Sequence, residues 1–104
     1  MSRGPDASTL LQRSLLRSAQ GKGLSVGIMV ADETQWASAT FTGARHTIWL
    51  RAPDDESVES WLAALPDAEL PVRGHLVADL VLIGRRSCAG EIVAGIEALT
   101  VEDR

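Results

Sequence analysis

The 104-residue chain contains no tyrosine, no asparagine, one phenylalanine, one lysine and one cysteine, Cys88. A lone cysteine excludes an internal disulfide framework and fits a reducing compartment. It also leaves no C-x-x-C pair, and the two histidines form no H-x-x-x-H pair, so no zinc motif is written in the chain. No apolar run approaches the roughly 20 residues of a membrane helix, and no secretory apolar stretch of the usual length stands near the N-terminus.

Cations are scarce too, with 10 Lys and Arg against 14 Asp and Glu for a formal charge of −4. They are unevenly placed. Residues 1–22 carry Arg3, Arg13, Arg17 and Lys22 against Asp6, whereas residues 53–104 hold eleven acids against four arginines. Such an acidic body repels phosphate backbones, which disfavours a nucleic-acid partner. The basic start reads as a solvated helix face. Its Arg and Ser content also has the look of an organellar transit segment. The excess of arginine over lysine and the missing asparagine and tyrosine favour GC-rich codons, and so a bacterial, cytoplasmic protein.

What is present is ordinary globular composition, 45% hydrophobic and 23% charged, in a length suited to one domain spanning residues 1–104. Pro5-Asp6-Ala7-Ser8 offers helix-capping residues, and Leu11, Leu15 and Ala19 follow at a spacing of four before Gly21-Lys22-Gly23 stops the helix. Residues 24–30 read as a strand and 31–34 as a turn. Residues 35–41 alternate as a second strand, and Thr42-Gly43 leads to a third over 44–50. Val58, Trp61, Leu62 and Leu65 mark one buried face of a second helix, capped by Asp54-Asp55 and stopped by Pro66. Two long β-type runs close the chain, 72–83 and 91–101, joined through residues 84–90. The expected fold is therefore α+β, an antiparallel five-stranded sheet with two helices on one face, in the order α-β-β-β-α-β-β.

Motifs for chemistry are thin. Gly23-Leu24-Ser25-Val26-Gly27 matches G-x-S-x-G, but it follows a helix and opens a strand, the reverse of a nucleophile elbow. Gly21, Gly23 and Gly27 fail as a phosphate loop for the same reason, since no helix N-terminus follows. His46, His75, Asp79 and Cys88 are the remaining ingredients. Even parity places His75 and Asp79 on one strand face about 13 Å apart, too far to share an ion. Asp79 lies amid aliphatic residues and is expected on a solvent-facing or dimer-facing side, paired with Arg85, Arg86 or Arg45; a lone general base is the sharper alternative, without a companion acid. No cofactor and no metal are expected.

The C-terminal runs carry aliphatic residues at both parities, more than two short helices can cover. An uncovered apolar sheet face commonly marks a protein interface. Trp36 and Trp49 are expected on that outer face, where aromatic residues anchor contacts. The expected function is a non-catalytic protein-interaction module, pairing with itself as a homodimer or with another protein. The alternative is a small-molecule or enzymatic pocket between sheet and helices using His46, His75 or Asp79. The expected element order is also similar to that of small acidic secretion chaperones, a resemblance that implies dimers holding an unfolded client segment.

Overall fold

The structure, a computed structural model, describes residues 6–103. Its first element, α1 (Ala7–Gln20), begins where the Asp6 carboxylate accepts the Thr9 N–H at 2.9 Å, a bond that holds the Asp6 carboxyl below its ordinary pKa. It ends at Gly21, and Gly23 takes φ 73° so that Leu24 N–H can bond back to Ala19 O. Leu11, Leu15 and Ala19 are buried along one stripe, as their spacing requires.

Four strands follow, not five. They are β1 (Gly27–Ala37), β2 (Thr42–Pro53), β3 (His75–Cys88) and β4 (Glu91–Glu102), in the antiparallel order β1-β2-β4-β3. The five-strand expectation fails at residues 31–34, which contain no glycine or proline to force a reversal. Ala31, Asp32, Glu33 and Thr34 pair in register with Ile48, Thr47, His46 and Arg45, and the chain runs straight through them as an edge strand. Asp32 is exposed at that edge, where a carboxylate costs little. The reversal comes later, at Ser38–Phe41, where Ser38 N–H donates to Phe41 O and Phe41 N–H donates to Ser38 Oγ. Thr42 and Gly43 belong to β2. The element order behind the secretion-chaperone resemblance is thus not the one found.

In the last hairpin, β3 absorbs Gly84 to Cys88, and the turn shrinks to Ala89-Gly90. Both turn residues have positive φ, 52° and 81°, the pattern of a two-residue type I′ hairpin. Alanine in that region costs about 1 kcal/mol that asparagine largely avoids. Ala89→Asn should therefore raise stability by about 1 kcal/mol, read as a higher urea midpoint with an unchanged slope.

The helix α2 (Glu56–Ala64) starts at Asp55, whose side chain accepts the Val58 N–H at 3.0 Å, and runs into a short 3₁₀ turn over Leu65–Asp67. Both helices cover the same side of the sheet. Val58, Trp61, Leu62 and Leu65 join Leu11, Leu15 and Ala19 in one core with Ile48, Leu50, Ile92, Ala94 and Ile96. Trp61 Nε1 donates to Ser18 Oγ at 3.0 Å and ties the two helices together. Among the described residues no helix is long and apolar enough to cross a membrane.

Candidate interaction surface

Residues paired across an antiparallel ladder share a sheet face. On β2 and β4 the inward set is Ala44, His46, Ile48, Leu50 and Ala52 with Ile92, Ala94, Ile96, Ala98 and Thr100, all buried under the helices. The alternate residues point the other way, and none of them joins the core. The register arranges that outer side into levels. One level reads Trp36, Gly43, Val101, Leu76 across β1, β2, β4 and β3. Another reads Val30, Trp49, Gly95, Gly84, with Val93 beside it. Both are apolar from edge to edge.

Between them lie Thr34, Arg45, Leu99 and Asp79, then Asp32, Thr47, Glu97 and Val81. This is a mixed belt, in which Arg45 Nη1 donates to Glu97 Oε1 at 3.4 Å. The outer side therefore has two greasy bands separated by a charged one, with a further level of Arg51, Val93 and Arg86 beyond the second band. Val30 is 48% and Leu76 58% exposed, so each band reaches open solvent at a sheet edge.

The tryptophans owe their position to glycines on neighbouring strands. A Cβ built on Gly95 would stand 2.7 Å from Trp49 Cη2, and one on Gly84 would stand 3.0 Å from the same atom. The Trp49 ring thus lies flat over two glycines on β4 and β3. Trp36 lies over Gly43 in the same way. Half-buried by this bedding, each indole offers its remaining surface outward. Glycine inside a strand pattern is a sequence sign of such close approach, and these three carried that sign unread. Trp49, Gly84, Arg86, Cys88 and Val93 border a shallow depression of about 510 Å³.

The titratable candidates do not converge. His46 is fully buried on the inner side, its Nε2 2.9 Å from Thr100 Oγ1. Thr100 Oγ1 donates to Ala44 O at 3.4 Å, so Nε2–H is the donor to Thr100 and Nδ1 keeps a bare lone pair, buried without a partner. Burial pushes the imidazole pKa down, with the nearby His75 adding to the effect and Glu33 and Asp6 opposing it. His75 is half-buried at the end of β3, its Nδ1 3.1 Å from Arg73 O.

Asp79 is exposed on the outer side. The expectation that His75 and Asp79 share a face is overturned by a bulge. The β3–β4 register shifts between Val77 and Asp79, so His75 and Val77 face inward while Asp79 faces outward. Nor do the expected arginine partners of Asp79 take it: Arg45 bonds Glu97, Arg85 bonds Glu59 of α2, and Asp79 forms no salt bridge among the described residues.

A recess of about 170 Å³ beside the start of α1 gathers Asp6, Glu33, His75 and Glu102. That is below the roughly 300–1,000 Å³ of ligand pockets. Among the described residues no three His, Cys, Asp or Glu side chains come close enough to hold a metal ion. Comparison with protein-family models, with curated proteins and with solved structures finds no match to this chain.

Proposed function

We infer that the protein is a non-catalytic interaction module that self-associates through the outer face of its sheet. The observation that carries this reading is the pair of apolar bands left uncovered while both helices cover the opposite side. Contiguous apolar surface of this kind is unfavourable in water and is removed by a partner surface of the same character. Half-buried tryptophans already fixed on glycine beds supply large contact area with little further ordering cost.

A second copy fits the pattern. Two such sheets stacked about a two-fold axis lying between them place band on band and belt on belt, whether that axis runs along or across the strands. Closed two-fold contacts are the commonest route to oligomers. The inner side argues against chemistry as the main role, since His46 is sealed and His75 and Asp79 lie on opposite faces.

The test is sedimentation velocity of the full chain at micromolar concentration, alongside a double variant, Val30→Lys with Val101→Lys. One substitution falls in each band, and neither residue is in the buried core. The double variant should keep its circular dichroism and sediment as a smaller species. An unchanged mass, together with no binding of a hydrophobic dye by either protein, would sink the reading.

A further inference from the structure

β3 is the longer of the two edge strands of the sheet. This strand has 14 residues, stands at the end of the sheet, and contains neither proline nor lysine, two of the usual blocks to edge pairing. A third, the bulge, it has twice, and any pairing register must absorb the one at Ile83. Its middle is apolar and open, with Val81 40%, Leu82 37% and Ile83 45% exposed. The opposite edge, β1, has two adjacent acids, Asp32 and Glu33, near its midpoint, where self-pairing would set like charges against each other.

On β3 the charges are arranged the other way. Asp79 stands three residues before Leu82, and Arg86 three residues after Ile83. In a regular strand two residues seven apart face opposite sides. Here the register shifts again between Leu82 and Gly84, so Ile83 is an extra residue, and Asp79, Val81, Gly84 and Arg86 all end on the outer face. Arg85, by contrast, faces inward, where Glu59 holds it. Neither Asp79 nor Arg86 has a salt-bridge partner among the described residues.

We propose that two copies of the chain pair antiparallel along β3, about a two-fold axis normal to the sheet between Leu82 and Ile83. In this register Asp79 of each copy stands opposite Arg86 of the other, and Val81 stands opposite Gly84. Leu82 meets Ile83 at the axis. Faces match at every charged and flanking position, and the ion pair occurs twice by symmetry. The product is one continuous eight-stranded sheet in which the open backbone groups of both edges are bonded. This contact is separate from the face contact proposed above. Their axes are perpendicular, and a chain using both closes into a tetramer only where the two axes intersect.

The experiment is run in the Val30→Lys/Val101→Lys protein, where face contacts are removed, and repeated in the unmodified chain. Asp79→Arg alone and Arg86→Asp alone each place two like-charge pairs across the axis and should weaken the dimer about tenfold or more. The combined Asp79→Arg/Arg86→Asp protein restores both pairs with reversed polarity and should sediment as the dimer again. Backbone amides over residues 79–86 should exchange slowly in the paired proteins and faster in the single reversals. Single reversals that leave mass and exchange unchanged overturn the proposal, as does a combined variant that stays dissociated. Open-ended polymers of the Val30→Lys/Val101→Lys protein would also overturn it, because with the face contact removed they indicate β3 adding to β1 of the next copy. If the edge pairs while the Lys variants leave the unmodified mass intact, the face reading fails alone.

Discussion

Gly43→Ala will destabilise the protein by about 3 kcal/mol, at the upper end of what an extra carbon in a packed site costs. A Cβ at residue 43 runs into the carbonyl oxygen of Thr100 and stands 2.7 Å from Trp36 Cζ2. The ring can move, but the carbonyl cannot, because it belongs to β4 at the point where Gly43 pairs with Val101. Relief would require the two inner strands, β2 and β4, to part at the end of their ladder. Gly84→Ala provides the contrast. Its nearest atom is the far end of the Trp49 ring at 3.0 Å, a group that can tilt outward into solvent. That variant should lose less than about 1 kcal/mol and show red-shifted tryptophan emission. Urea melts of both proteins, read as shifts in midpoint at constant slope, decide the matter. Equal costs would mean that the indole beds, rather than the strand separation, set the penalty.

Acidification should have the second large effect, and it runs through His46. The unfolded chain titrates this imidazole near its ordinary pKa of 6.5, whereas burial lowers it in the fold. The native state therefore binds fewer protons than the unfolded one once the pH falls below about 6.5. Its contribution to stability is complete above that value and is lost as the pH drops below it, at up to about 1.4 kcal/mol per pH unit for one site. The structural cause is Nδ1, which has no acceptor to offer a second N–H when protonated. Glu33, opposite His46 on β1, moderates the loss. In His46→Gln, which keeps an N–H donor within reach of Thr100 but cannot titrate, the melting temperature should vary less between pH 7 and pH 5. A variant with the same pH dependence as the parent would place the acid sensitivity elsewhere.

Both helices were legible in the sequence because their information is local. Asp6 and Asp55 cap them, and leucine or tryptophan spacing declares the buried stripe. The final hairpin was legible for the same reason, apart from its turn, which shrank to two residues with only one glycine. The strand count was not. Ala31-Asp32-Glu33-Thr34 looks like a turn to any local rule, and only the partner strand, by bonding each of these residues in register, makes it β structure. The parity reading of β3 failed for a related reason. Bulges at Ala78 and Ile83 are produced by pairing with β4 and leave no mark in alternation patterns. Trp36 and Trp49 do stand on the outer face where they were expected. The glycines beneath them signal a close approach in the sequence, but which indole lies over which glycine is fixed only when the strands are placed side by side.

The order of strands has a consequence for how the molecule assembles itself. Residues 27–53 and 75–102 are each a self-contained hairpin, and the ladder between β2 and β4, from Gly43–Val101 to Pro53–Glu91, is the seam that makes them one sheet. Hairpins close in microseconds, but this seam joins positions about half the chain apart and must wait for a much larger loop to shut. Until it does, each half carries a bare inner strand of the kind its own sibling, or the same half of a neighbouring molecule, is shaped to receive. Crowded nascent chains are thus exposed to exchange of halves during this slow step.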